Sequence, residues 1–187
     1  MLDTTVPMIR LVMRLESLDH LPSFDLPPEY GWRLYRPGDE FAWADIEMSA
    51  GEFKAMGPAI KAFREYFPDV DALKERMLFL TDGDTPFATA TAWYGDGDAA
   101  REGRLHWVSV DADHQRRRLS YPLVSLAMAR MRLLGHSSAY LTTQTASWPA
   151  IKVYHRFGFM PFVQKPEETE GWRIVSAKSG IDFMRFI

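Results

Sequence analysis

Arg116, Arg117 and Arg118 stand together in a polar turn between two apolar segments. Before them, Leu105 to Val110 alternates with period two, the pattern of a half-buried strand. After them a helix is expected, with Ser120 as N-cap, Pro122 in the first turn and Gly135 as its stop. Leu123, Val124, Leu126, Ala127, Met128, Met131, Leu133 and Leu134 cover most of that helix, which predicts burial against a sheet. A strand feeding a turn that opens a helix is suited to binding an anion. The first helical N–H groups lack internal partners, and the helix dipole favours negative charge. On spacing alone, a solvated basic turn fits these residues equally well.

A second strand-and-helix unit follows. Ala139 to Thr143 reads as a strand. Ser147-Trp148-Pro149 reads as a cap with an early proline, opening a helix with Ala150, Ile151, Val153, Tyr154 and Phe157 on its inner face. Gly158 ends it, and Phe159 to Val163 reads as another strand.

With both units in view, the segment resembles the acetyl-CoA-binding half of the GNAT-superfamily N-acetyltransferases. That family carries a strand, then Gln or Arg, two residues, Gly, one residue, and Gly or Ala, opening a helix. An Asn follows, then a helix with Ala-Ile, a Tyr and Gly-Phe. Gln115, Ala150-Ile151, Tyr154 and Gly158-Phe159 match in order and spacing. Arg118 and Ser120 stand where the family has its two small residues, and Ser147 where it has the Asn. Glycine lets a backbone approach a phosphate closely. Ser120 is small, whereas Arg118 offers a guanidinium in place of a bare backbone.

The resemblance implies an α+β fold with a mixed, splayed β-sheet flanked by helices, and acetyl-CoA as cosubstrate. It implies a cofactor site built from Val108, Ser109, Val110, Gln115, Arg116, Arg117, Arg118, Leu119, Ser120, Ser147, Ala150 and Tyr154. Tyr154 takes the family position where a tyrosine approaches the CoA sulfur. A phenol titrating near 10 is protonated at neutral pH and can give its proton to a thiolate. His106 is the candidate base, because some family members carry histidine there and imidazole suits an amine proton. The strand pattern puts His106 on one face with Val108 and Val110. A satisfied strand histidine is the other reading of His106, with Glu47, Glu52 or ordered water as alternative bases. The other reading of Tyr154 is a core tyrosine on one helix face with Ile151 and Phe157, and the motif favours the acid. Trp43, Phe53 and Met56 fit either an acceptor pocket wall or core packing.

The implied function is direct transfer of acetyl from acetyl-CoA to an amine, borne by a small molecule or a peptide. The alternative is a non-catalytic acyl-CoA-binding or regulatory module on the same fold. The sequence has no cysteine, which excludes disulfides, a cysteine-bound acetyl intermediate and cysteine-ligated zinc. His114, His136 and His155 are expected at the surface, and no histidine spacing suggests a metal. A formal net charge of −3 does not favour nucleic acid as a partner. Arginines interrupt the apolar start, so neither a signal peptide nor a membrane span is expected, and a cytoplasmic protein is.

The 187 residues suit one globular domain. Residues 1–29 read as an N-terminal strand and a proline-rich link, and residues 30–187 as the acetyltransferase domain. The first strand, Ile9 to Leu15, is free to join the main sheet or a second subunit in a homodimer. Trp32 to Tyr35 reads as a strand and Glu40 to Met48 as a helix. Pro58 opens the next helix, with Ile60, Phe63, Tyr66 and Phe67 inward, and Asp69 to Arg76 forms a short one. Met77 to Thr81 and Phe87 to Tyr94 form a hairpin around Asp82-Gly83-Asp84. Gly95 to Asp98 reads as a solvated turn without the ligand spacing of a calcium loop. Lys165 to Gly171 reads as a loop, and Trp172 to Ala177 and Phe183 to Ile187 as strands.

Overall fold

The computed structural model describes residues 2–96 and 101–187. Part of the turn expected at Gly95 to Asp98 lies outside the described residues. The chain forms two compact units. Unit 1 comprises Met1–Pro22, Tyr94–Arg104 and Gly135–Ile187, and unit 2 comprises Ser23–Trp93 and Leu105–Leu134.

Unit 2 opens with β2 (Tyr30–Leu34), α1 (Asp39–Ala50), α2 (Met56–Tyr66) and α3 (Val70–Arg76). The start of α1 is fixed by Asp39, whose carboxylate accepts from Arg33 Nη1 and Nη2 at 2.6 and 2.8 Å and from the Arg36 amide at 2.6 Å. β3 (Met77–Asp82) pairs antiparallel with β2 and with β4 (Thr85–Tyr94). Gly83 makes the hairpin turn at φ +55°. Ala88, Thr89, Ala90, Thr91 and Ala92 are all fully buried, so β4 is covered on both faces. Trp43, Phe63, Phe67, Leu73, Met77 and Phe79 form the core of this unit. Tyr66, expected inward on α2, is 44% exposed, while Ala59, Ala62 and Phe63 are buried. The unit closes with α4 (Ser120–Leu133). Leu119, not Ser120, takes its N-cap position. Leu123, Val124, Ala127, Met128 and Met131 are buried, but Leu133 is exposed.

β5 (Glu102–Val110) begins in unit 1 and continues into unit 2. In unit 1 it pairs in parallel with β6 (Ser138–Gln144) from Glu102↔Ser138 to Arg104↔Tyr140. β1 (Arg10–Leu15) lies antiparallel beside β6 and also pairs with β7, which is only Met160–Pro161. The N-terminal strand is thus used within the chain's own sheet. The strand order is β2-β3-β4-β5-β6-β1-β7, a mixed sheet with α helices in an α+β fold.

The C-terminal region corrects the sequence reading. Lys165 to Gly171 is not a loop and Trp172 to Ala177 is not a strand, because Pro166–Ser179 is a helix, α6. Its start carries proline in the first turn, and Glu168 reaches back to accept from the Gln164 amide at 2.6 Å. Glu168, Gly171, Trp172, Val175 and Ser179 are buried, a helical spacing that turns one stripe onto β1. Gly171 makes that approach possible. A Cβ there would lie 2.8 Å from Leu11 Cδ2 and 3.1 Å from Ile9 Cγ2. Phe183–Phe186, expected as a strand, is a short 3-10 turn capped by Asp182. Among the described residues no helix is long and apolar enough to cross a membrane.

Candidate active site

In unit 2, β5 delivers the chain to the basic turn. Asp111 caps a 3-10 turn at Ala112–His114, accepting from the His114 amide at 2.9 Å. His114 is not at the surface as expected. Its ring stacks on Phe87 at 4.0 Å and its Nδ1 lies 2.7 Å from Asp111 Oδ1. Gln115 Nε2 donates to the Val110 carbonyl at 2.9 Å, which closes residues 110–115 into a tight loop. Beyond it, Arg116 and Arg118 adopt left-handed backbone, at φ +63° and +62°. This region favours glycine, and Arg118 stands where the GNAT pattern has one. The loop therefore keeps the conformation glycine would allow, with arginine in its place. Arg117 Nη1 donates to Tyr30 Oη at 3.0 Å, and all three arginines are exposed. Leu119 is buried. Among the described residues no side chain caps the first amides of α4.

The strand before this loop is irregular. Trp107 has φ +48°, and the neighbouring rings of His106 and Trp107 both touch Tyr66, at 5.7 and 5.0 Å. Adjacent residues of a regular strand point to opposite faces. The expected single face of His106, Val108 and Val110 is therefore interrupted at Trp107. His106 is 7% exposed and sits against Tyr66 and Phe67. Trp107 packs on Trp43 at 5.1 Å and Phe53 at 5.8 Å. Trp43 is completely buried core, whereas Phe53 and Met56 are half-buried.

One turn along α1 from Trp43, Glu47 is completely buried. Its Oε2 accepts from Ser109 Oγ at 2.6 Å, and its Oε1 has no hydrogen bond among the described residues. Burial pushes the Glu47 carboxyl up to about 8, against the downward pull of the Ser109 hydroxyl and with a further upward push from Glu52. Glu52 itself is exposed. The helical spacing of Trp43 and Glu47 was the available signal that this carboxylate faces inward; its partner, 62 residues away, had none.

Unit 1 carries the other expected residues. α5 (Trp148–Arg156) has Ser147 at its N-cap without a side-chain hydrogen bond and Pro149 in the first turn. Trp148 Nε1 donates to Asp3 Oδ2 at 3.0 Å, which ties the helix start to the N-terminal segment. Ala150 is half-buried, and Ile151, Val153, Tyr154 and Phe157 are buried. Tyr154 is 8% exposed and meets Phe159 edge-on at 6.3 Å. Gly158 ends the helix at φ +93°. His136 and His155 are also not at the surface. His136 is buried, and His155 is half-buried against Phe183 and Phe186. Unit 2 thus gathers the loop, His106, Val108, Ser109, Val110 and Glu47, while Ser147, Ala150 and Tyr154 belong to unit 1.

Among solved structures, this chain is similar to a GCN5-related N-acetyltransferase from Sphaerobacter thermophilus, at 19% identity and a TM-score of 0.66 over 82% of this chain and 48% of that one. It is similar to a GNAT-family acetyltransferase from Colwellia psychrerythraea, at 9% identity and a TM-score of 0.63 over 83% and 54%. A tandem GNAT protein from the clavulanic acid biosynthesis pathway aligns at 15% identity and a TM-score of 0.62 over 86% and 52%. At these identities the likeness establishes a shared fold, and the chain spans about half the length of these structures. No curated protein matches the sequence. The family model described as Acetyltransferase (GNAT) family matches residues 31–159, which include β5, the basic turn, Tyr154 and the Gly158-Phe159 pair. By that match the chain belongs to the GNAT family of acetyltransferases.

Proposed function

We propose that this chain is an acetyl-CoA-dependent N-acetyltransferase that passes acetyl directly to a primary amine. The observation that carries this reading is the left-handed backbone of Arg116 and Arg118 at the mouth of α4. A turn of this shape suits a pyrophosphate, because successive amides can face one anion and the uncapped helix start adds its own. The arginine side chains add positive charge that glycines would not.

Each role follows from the residue's chemistry. The turn from Gln115 to Ser120 would hold the pyrophosphate, with Gln115 fixing the loop and the arginines gripping phosphate oxygens. Backbone groups of Val108, Ser109 and Val110 would meet the acetyl and pantetheine portion, where donors stabilise the oxyanion of thioester attack. Ser147 and Ala150, at the start of α5, remain assigned to the cofactor by their place in the family pattern. Tyr154 would give a proton to the departing thiolate. His106 is enclosed by aromatic rings, so we place the amine's proton elsewhere. The replacement of the family's small residues by Arg118 and Ser120 favours a second reading, an acyl-CoA-binding module without transfer. Melting with and without acetyl-CoA, followed by thiol release in the presence of amines, tests both. Stabilisation without thiol release would leave only the binding module.

A further inference from the structure

The segment before β1 clasps the start of α5. Both lie in unit 1, and residues 3–9 stand outside the span 31–159 that the family model matches. The Asp3 amide donates to the Ala146 carbonyl at 2.8 Å, and the Thr145 amide to the Ile9 carbonyl at 3.0 Å. The Ile9 amide donates back to Thr145 Oγ1 at 3.0 Å, and that hydroxyl donates to the Pro7 carbonyl. Thr145 and Ala146 belong to the 3-10 turn Thr145–Ser147 that leads into α5. The N-terminal segment therefore holds the approach to the helix.

Asp3 is the centre of this clasp. Its Oδ2 accepts from Trp148 Nε1 and pairs with Lys178 Nζ of α6, each at 3.0 Å. Its Oδ1 accepts from the Thr5 hydroxyl and from the Thr5 amide, the latter at 2.9 Å. These donors, the Thr5 hydroxyl first among them, hold the Asp3 carboxyl well below the usual carboxylate range, so it is ionised at neutral pH. Lys152 Nζ lies over the Trp148 ring at 6.0 Å. The indole is thus held at its edge by Asp3 and at its face by Lys152.

α5 needs such a hold. It has nine residues, and a helix this short is marginal without tertiary contacts. Its N-cap residue, Ser147, makes no side-chain hydrogen bond to the first amides, so the cap does not fix the start. We propose that Asp3 is a positioning residue for the cofactor: through Trp148 it fixes the start of α5, where Ser147 and Ala150 meet acetyl-CoA. This rests on the acetyltransferase reading above. Ala150 lies two residues beyond Trp148, and Tyr154 six, about 9 Å along the helix axis. Loss of the clasp frays the cofactor end of the helix before it reaches Tyr154.

The test measures acetyl-CoA affinity of the full chain by calorimetric titration well below the Tm, and the Tm without ligand separately. Asp3→Ala removes the clasp. Trp148→Phe keeps a ring but removes the indole N–H. Each should weaken acetyl-CoA binding by at least about fivefold, and the double variant little more than either alone, because the two side chains share one contact. Asp3→Asn keeps an oxygen for the indole and should recover most of the affinity. The indole N–H resonance that disappears in Trp148→Phe should shift in Asp3→Ala. A clasp that only stabilises the fold would lower the Tm and leave affinity unchanged, and that result overturns the positioning role. Additive losses in the double variant overturn it too. If Asp3→Ala does not fold, Trp148→Phe decides by the same measure: weakened binding sustains the role and unchanged binding overturns it. A parent protein that does not bind acetyl-CoA overturns the cosubstrate reading, and the positioning role with it.

Discussion

Replacing Arg118 by glycine should make the protein more stable although it removes a side chain. At φ +62° a non-glycine residue sits in the left-handed region, at a cost of about 1–2 kcal/mol. Glycine removes that cost but leaves the unfolded chain freer, which takes back roughly 0.4–1 kcal/mol. The net gain is about 0.5–1 kcal/mol, or roughly 1–4 °C in Tm for a chain of this length. Arg118→Ala is the control. It removes the same guanidinium, and the same repulsion from Arg116 and Arg117, but keeps the left-handed strain. Thermal melts followed by circular dichroism should rank glycine above alanine, with alanine close to the parent. Both variants should bind acetyl-CoA more weakly, because both lose a cation beside the proposed phosphate site. Stability and binding then move in opposite directions in Arg118→Gly. If Arg118→Gly melts at or below Arg118→Ala, the turn does not hold the glycine-like conformation, and the argument that arginine stands in a phosphate-binding backbone fails.

Glu47 should make stability fall with pH. Its folded carboxyl titrates near 8 and its ordinary value is 4.5, so the stabilisation is complete below about pH 4.5 and is lost as pH rises through about 8. The loss is on the order of 5 kcal/mol at about 1.4 kcal/mol per unit. Glu47→Gln, neutral throughout, should gain on the parent progressively between pH 5.5 and 8.5 in denaturant melts, and parallel curves would contradict the burial argument. Tyr154→Phe should lower kcat more than it weakens acetyl-CoA binding, and an unchanged kcat would remove Tyr154 as the acid. Gly171→Val should cost about 2 kcal/mol or more, because its side chain would enter the space held by Leu11 and Ile9. An unchanged Tm would contradict the packing of α6 on β1.

The local patterns that read correctly are those with caps and periodicity in one place. α4 and α5 had proline early and glycine at the end, and the β3–β4 hairpin had its Asp-Gly turn. α6 misled because Trp172, Ile174 and Val175 fall within four residues, a short apolar cluster that strand and helix share. Its better signal was the start, with Pro166 in the first turn and Glu168 two residues on. His114 and His155 misled because their burial is set by distant partners, Phe87 for His114 and Phe183 for His155. Within the candidate site, the arginine turn and the position of Tyr154 were visible as spacing. The left-handed Trp107 was not, since nothing in its neighbours calls for that backbone. The Glu47–Ser109 bond was not visible either, since it joins residues 62 apart.

The most direct test of the transferase reading is the melting temperature of the protein with and without acetyl-CoA. A ligand that binds only the folded chain stabilises it by about 2.7 kcal/mol at a hundred times its dissociation constant, which is roughly 5–11 °C for a chain of this length. The account predicts a shift of that order, diminished when Arg116, Arg117 and Arg118 are together replaced by alanine. An unchanged Tm at millimolar acetyl-CoA would contradict it, and would separate membership of the family from use of its cosubstrate.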